Sequence, residues 1–369
     1  MTQDRASTTS GAQPLRLELG SFDVKRVAAG SPTSLVDGTL TIDIEELKGE
    51  ALDGEYIEDI PIEIVSPGDD VRIINAIDAV EPRVKIDPVG HDFPGLLSRP
   101  HTAGGGRTHA LKGVSVTTTA LPVPGEPVYW REAVFDMAGP VAKYSPLSDL
   151  FNVVVSVVPA AAVADDSTPP ENIFAGTPEA FEYNREIRLA GLRTARYLAA
   201  ATRDENPERT DTYELMPVAD SLPRVVYLYQ LAIPYLYGEI APGAGAIGGS
   251  AHLPTPIHPN ELLDGALVCG WNAIACMREL TYSVQNHPIV LDLYARHGVD
   301  VDFGGVVLFT NGDTRDTKER LANHASNLAI MLGADAAIIN YAGGGHPAVD
   351  AMMVCQKLEQ RGVPTTMLS

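Results

Sequence analysis

The last third of the chain alternates unbroken apolar runs with stretches of helical period. Gly305 to Thr310 and Ala336 to Asn340 are apolar on both sides of any pleat. Between them, Thr314 to Leu332 sets Leu321, Ala325, Leu328 and Ala329 on one face of a helix. A second helix is predicted from Pro347 to Arg361, with Met352, Met353 and Cys355, and it stops at Gly362. A third strand starts at Pro364 and runs to Leu368. Strands without alternation are those of a parallel sheet covered on both faces. The β-α-β-α-β order, with right-handed crossovers, predicts a doubly wound unit. Ligands of such sheets sit at the strand carboxyl ends, here Thr310 to Asp313 and Tyr341 to His346.

The first half has a different texture. Leu15 to Leu19, Thr39 to Ile44 and Ile60 to Val65 alternate apolar and polar residues between Gly and Pro turn signals. Short β-branched runs follow at Val80 to Ile86, Gly113 to Thr119 and Asn152 to Val158. Pro178 to Arg203 reads as a helix that opens at Thr177-Pro178, with Phe181, Ile187, Leu189, Ala190, Leu192, Ala195, Leu198 and Ala199 in its apolar stripe. Val225 to Leu231 reads as a strand. The expected class is therefore α/β: a β-rich N-terminal domain followed by a doubly wound parallel-sheet α/β domain. The expected division is a disordered tail over 1–14, a β-rich domain over 15–165, a helical and strand segment with a Gly-rich loop over 166–263, and the doubly wound portion over 264–369.

Charge and cysteine count narrow the partners. Lys and Arg number 27 against 48 Asp and Glu, so the net charge is −21. Nucleic acid and anionic membrane surfaces both need a basic face, so neither is an expected partner. The longest apolar stretch, Phe151 to Ala164, is broken by Ser156 and Pro159 and is too short to span a bilayer. Three cysteines, Cys269, Cys276 and Cys355, make no disulfide framework and no zinc set. No metal is expected, and the expected compartment is the cytoplasm.

The densest chemistry lies between Gly265 and His287. An apolar run holds Cys269 and Cys276, then Thr281, Tyr282, Gln285, Asn286 and His287 follow before Pro288. Read from the residues alone, two accounts stand: a buried segment whose cysteines are small core hydrophobes, or a reactive cysteine beside hydroxyl, amide and imidazole groups. Elsewhere, Gly243 to Gly248 matches the GxGxxG spacing, but no helix opens after it, so a dinucleotide site is not expected. Arg107, Thr108 and His109 follow three glycines and form a candidate carboxylate-binding turn.

A set of ordered motifs takes the reading further. They include Leu15 to Gly20, Val80 to Lys85, Phe93-Pro94-Gly95, Gly106 to His109 with Leu111 to Gly113, and Asp136-Met137 with Gly139-Pro140. Downstream come Pro254-Thr255, Pro259 with Glu261, Asp264 to Val268, Ala275-Cys276, Thr281-Tyr282, Gln285-Asn286 with Pro288-Ile289, and Leu293-Tyr294 with Arg296 to Gly298. In this order the chain resembles the proprotein subunit of component B of glycine, sarcosine and betaine reductase, a relative of the D-proline reductase proprotein, from Leu15 to its C-terminus. It departs after Cys276, where Met277-Arg278-Glu279 stands in place of the family's usual Asp-Lys-Asn.

The resemblance implies autocatalytic cleavage between Ala275 and Cys276, with Cys276 becoming a pyruvoyl cofactor. The thiol would attack the preceding carbonyl, the resulting thioester would eliminate, and hydrolysis would leave the carbonyl. It makes Cys276 the catalytic precursor; Thr281, Tyr282, Asn286 and His287 are the candidate catalytic residues beside it, His287 standing where the family usually has Asn, and Arg107, Thr108 and His109 are the candidate substrate-binding ones. It also implies a hetero-oligomer. The carbonyl would take a small amine or amino-acid substrate, and a second reductase subunit would attack with a thiol or selenol. The other readings are an uncleaved scaffold or binding subunit, and an enzyme using Cys276 as an ordinary thiol nucleophile.

Overall fold

Alternation shows in short strands such as Thr39–Ile42, whereas Val114–Ala120 is buried at every position, and one long helix packs on these strands. The computed structural model of the chain describes residues 14–124, 133–164, 177–231, 234–240, 253–269, 279–312, 314–341 and 345–369. Three sheets occupy the N-terminal part. The first has four strands in the order Arg209–Glu214, Arg16–Asp23, Gly106–Lys112, Arg83–Asp87. The second is a six-stranded sheet built around Arg72–Val80, Val114–Ala120 and Phe151–Pro159. A small third sheet joins Arg26–Ala29, Thr39–Ile42 and Ser34–Val36.

The helix Pro178–Ala200 lies across these strands. Thr177 caps it by accepting the Ala180 N–H, as Thr-Pro at a helix start favours. Its stripe of Tyr183, Ile187, Ala190, Leu192, Ala195 and Leu198 shares one core with Leu111, Val114, Val116, Val153 and Val155. The Val, Leu and Ile side chains among these each contribute about 1.5–3 kcal/mol on full burial. Gly191 sets the approach, since a Cβ there would stand 2.5 Å from Thr118 Cγ2.

The second half is the α/β unit that its periodicity predicts. Its sheet runs in the order Thr255–Ile257, Asp302–Phe309, Arg224–Gln230, Ala336–Asn340, Thr365–Leu368. The last four are mutually parallel and the first is antiparallel. On one face Val226, Leu228, Val307, Phe309 and Ile339 pack against Ala322, Ala325, Ala351, Val354 and Leu358, from the helices Arg315–Met331 and His346–Glu359. On the other, Tyr227, Tyr229, Val306 and Leu308 pack against Leu262, Leu263, Val284, Val290 and Leu293, from Pro259–Leu263, Thr281–Gln285 and Pro288–Arg296. Helices on both faces make the sheet doubly wound.

Connectivity decides how the parts relate. The helix Pro178–Ala200 completes the N-terminal core, and Arg209–Glu214 pairs with Arg16–Asp23. The central strand of the α/β sheet is Arg224–Gln230, which precedes residue 264. The segment 166–263 is thus shared between the two halves. Periodicity finds the strand at Val225 to Leu231, but nothing local says which sheet it enters. Chain order around it is β-strand 224–230, then 302–309, 336–340 and 365–368, with 224–230 between 302–309 and 336–340. The order reverses at that strand, and its carboxyl end is the crevice where ligands of such sheets sit.

Candidate functional site

The segment 270–278, with Ala275 and Cys276, lies outside the described residues, as does the Gly-rich stretch 241–252. What is described is how the ends of 270–278 are held. Leu267–Cys269 brings the chain in, and Thr281–Gln285 leads it away. The Thr281 hydroxyl accepts the Cys269 N–H at 2.8 Å and donates to Asp78 Oδ2 at 2.5 Å. The Thr281 N–H donates to Asp78 Oδ1 at 2.9 Å. From the other side, Arg188 Nη1 donates to the Cys269 carbonyl at 3.1 Å. Both ends therefore meet at one buried point, fixed by the strand Arg72–Val80 and the helix Pro178–Ala200.

Asp78 is 3% exposed. Burial pushes its carboxyl up to about 6, against the pull of Arg188 and of the Thr281 hydrogen bonds. A carboxyl displaced that far is suited to hold or take a proton near neutrality.

Charged residues continue along this seam. Glu81 binds Arg83 at 2.6 Å and Lys112 at 2.8 Å. Burial opposes its charge, yet Lys112 and Arg83 outweigh that and hold its carboxyl below the usual range. Asn286 donates to Glu81 at 3.1 Å and accepts from Lys112 at 3.0 Å. Gln285 accepts the Glu81 N–H at 2.9 Å. Lys85 pairs with Asp264, which also takes Thr108 Oγ at 2.6 Å and the Gly104 N–H at 2.7 Å. These bonds seat the 260–286 stretch on the N-terminal sheets.

A second polar group faces the α/β sheet. Tyr227 and Tyr229 stack at 5.5 Å, and the His287 ring stands edge-on to both. Tyr227 hydroxyl and His287 Nε2 are 2.9 Å apart, while His287 Nδ1 is buried without a partner. Burial drives His287 down to about 4, so its imidazole is neutral at pH 7. Tyr229 donates to Glu279, whose carboxyl burial pushes up. Tyr229 is the penultimate residue of its strand, at the carboxyl end where the strand order reverses.

The structure divides the residues expected to act together. Thr281 joins Asp78 and Cys269. Tyr282 lies beside Leu280 in a different apolar cluster, its hydroxyl raised to about 12 by burial and by Glu81. Asn286 belongs to the Glu81 and Lys112 group, and His287 turns to the tyrosines. Arg107, Thr108 and His109 lie in the strand Gly106–Lys112 rather than in a turn, so successive side chains point to opposite faces. Arg107 is exposed and paired with Glu18 at 2.8 Å, Thr108 binds Asp264, and His109 Nδ1 lies 2.9 Å from the Thr202 carbonyl. They share no pocket. Cys269 is buried and Cys355 half-buried. Among the described residues, no three His, Cys, Asp or Glu side chains are grouped to hold a metal ion. No helix among them is long and apolar enough to cross a membrane.

Asp78, Arg188, Tyr227 and Tyr229 did not stand out in the sequence. Their only signal is a polar residue inside an otherwise apolar strand or stripe, which also describes many ordinary hydrogen-bonded core residues.

The family model for glycine/sarcosine/betaine reductase component B subunits matches residues 15–369. The chain is 34% identical to the glycine reductase complex component B subunits alpha and beta of Acetoanaerobium sticklandii, over 96% of this chain and 79% of that protein. It is 32% identical to the sarcosine reductase complex component B subunit alpha of Peptoclostridium acidaminophilum, with the same shares covered. It is 34% identical to the betaine reductase complex component B subunit alpha of that organism, over 96% of this chain and 78% of the relative. No solved structure matches the chain significantly. The ordered motifs and the match along nearly the whole chain agree: it belongs to the family of glycine/sarcosine/betaine reductase component B subunits.

Proposed function

We propose that this chain is the carbonyl-bearing subunit of a reductase complex of the glycine, sarcosine and betaine type. In this reading it cleaves itself between Ala275 and Cys276, and Cys276 becomes a pyruvoyl group. Such a group supplies an electrophilic carbonyl to a substrate amine and draws electrons from the substrate C–N bond. A second subunit brings the thiol or selenol that attacks the substrate carbon. The complex works in a reducing cytoplasm, in keeping with a chain that holds only three cysteines.

The observation that carries the reading is the closed base of the segment 270–278. Reactive groups are positioned by a rigid scaffold, and here Thr281, Asp78 and Arg188 fasten the described residues on both sides of 270–278. The groups around that base suit carbonyl chemistry. Asp78 and Glu279 are carboxyls pushed up by burial, fit to store a proton and return it. The neutral His287 orders Tyr227, and Tyr229 orders Glu279. Thr281 links Asp78 to the Cys269 peptide, through which a change of protonation reaches the segment's start.

Intact mass and a denaturing gel test this directly. The expected pieces have 275 and 369 − 275 = 94 residues, the smaller one reacting with a hydrazine. Cys276→Ala should leave one full-length chain. A wild-type chain that stays whole, with a free thiol at Cys276, overturns the reading in favour of an uncleaved subunit.

A further inference from the structure

We propose that Arg188 is the anchor for a carboxylate group of a small ligand, bound at the base of the segment 270–278. This deepens the reading above, because it gives the substrate amine's other end a place to bind.

The argument begins with charge. Four cations are buried among the described residues: Arg83, Lys85, Arg188 and Lys318. Three of them meet a carboxylate directly: Arg83 binds Glu81 and Lys318 binds Asp350, each at 2.6 Å, and Lys85 binds Asp264. Arg188 is 3% exposed. Its hydrogen bonds go to two neutral oxygens, the Cys269 carbonyl at 3.1 Å and Asn184 Oδ1 at 2.7 Å. No carboxylate of a described residue forms an ion pair with it. Asp78 feels its charge, but the Asp78 oxygens are occupied by the Ala79 and Thr281 N–H groups and the Thr281 hydroxyl. A guanidinium cannot escape by losing its proton. Burying it without a contacting anion is costly, and such a site gains when an anion arrives.

Geometry then states which anion. Arg188 Nε is buried and has no hydrogen-bond partner. In any guanidinium the Nε–H lies beside one N–H of Nη2, and this edge is the donor fork that a carboxylate fits with two parallel bonds. An arriving monoanion would drive Asp78, held near 6, to take a proton, so that one cation then faces one anion. A phosphate dianion would bring a surplus negative charge to the same place. The position also fits. Arg188 binds the carbonyl of Cys269, the residue from which the segment 270–278 departs. Arg107, the arginine that the sequence favours for this task, is exposed and already paired with Glu18.

Acetate and acetamide, which differ in charge and hardly in shape, are the probes. Each is titrated at constant ionic strength into the wild-type chain, Cys276→Ala, Arg188→Gln and Arg188→Lys. Thermal stabilisation and the arginine Nε–H proton resonances are followed. The expected result is that acetate stabilises wild type and Cys276→Ala, acetamide does not, and one slowly exchanging Nε–H signal moves downfield with acetate. Arg188→Gln should weaken acetate binding about tenfold or more. Equal stabilisation by the two probes, an unmoved Nε–H signal, or undiminished acetate affinity in Arg188→Gln would overturn the proposal. If neither arginine variant folds, the contrast between probes and the Nε–H shift in wild type decide it. Cleavage is read by intact mass on the same samples. A chain that binds acetate but stays whole refutes the pyruvoyl reading alone, and a cleaved chain indifferent to acetate refutes the anchor alone.

Discussion

Thr281 is joined to Asp78 twice: its hydroxyl donates to Oδ2 at 2.5 Å, and its N–H donates to Oδ1 at 2.9 Å. Because the same hydroxyl accepts the Cys269 N–H, one side chain connects the N-terminal sheets to both ends of the segment 270–278.

Thr281→Val keeps the shape and removes the hydroxyl. Asp78 Oδ2 and the Cys269 N–H would both lose a buried partner, which costs about 1–3 kcal/mol for each group left unsatisfied. Urea unfolding should show the loss as a lower midpoint with an unchanged slope. Under the cleavage reading, intact mass should also show slower processing. A variant as stable as wild type would mean that the ends are held by other bonds.

Asp78 and His287 give opposite pH signatures. His287 is held near 4 in the folded chain, below the usual value of about 6.5. The unfolded chain therefore binds its proton first as pH falls, and stability present above about 6.5 is lost progressively toward about 4. The stability advantage of wild type over His287→Phe should shrink across that window on acidification. A difference that is flat with pH would show that the imidazole is not held neutral.

Asp78 is held near 6, above its ordinary value of 3.8. The unfolded chain releases this proton first as pH rises, so the contribution is fully present below about 3.8 and lost by about 6. Relative to Asp78→Asn, wild type should lose stability as pH rises through that range. Denaturant midpoints measured at pH 4, 5 and 6 on both proteins check the sign.

Glu81 is a hub for Arg83 and Lys112, and Asn286 donates to it as well. Glu81→Gln keeps the volume but leaves the buried Arg83 without its carboxylate. Removing one partner of a buried pair costs about 3–5 kcal/mol. The Tm should fall accordingly. Glu18→Gln, which breaks the exposed pair with Arg107, should change it little.

Cleavage before Cys276 should not release the pieces. The strand Arg224–Gln230 would belong to the 275-residue piece, and it lies between Asp302–Phe309 and Ala336–Asn340 of the 94-residue piece. Separating them means opening two parallel strand pairings and the antiparallel one between Thr255–Ile257 and Asp302–Phe309. The two pieces should co-elute in native size exclusion and part only in denaturant. Separation under native conditions would contradict the sheet order.

The sequence by itself determined the local elements. Unbroken apolar runs could only be strands covered on both faces, and the helix after Thr177-Pro178 followed from its stripe and its cap. Ordered motifs between Leu15 and Gly298 determined the family. The partnership of distant residues was decided by tertiary structure. Asp78 and Thr281 are 203 positions apart, and Glu81 and Asn286 are 205 apart. Neither separation leaves a periodicity to read. The consecutive run Thr281 to His287 looked like one polar cluster, but the helix Thr281–Gln285 and the turn after it send those side chains to different neighbours. The glycines before Arg107 suggested a binding turn. Pairing with Arg16–Asp23 made that stretch a strand, and alternation then scattered its three polar residues. Local chemistry sets an element's type and its buried face, whereas which charge is left uncompensated depends on every element that packs around it. Arg188 is one of the charged residues between the stripe positions until the fold surrounds it.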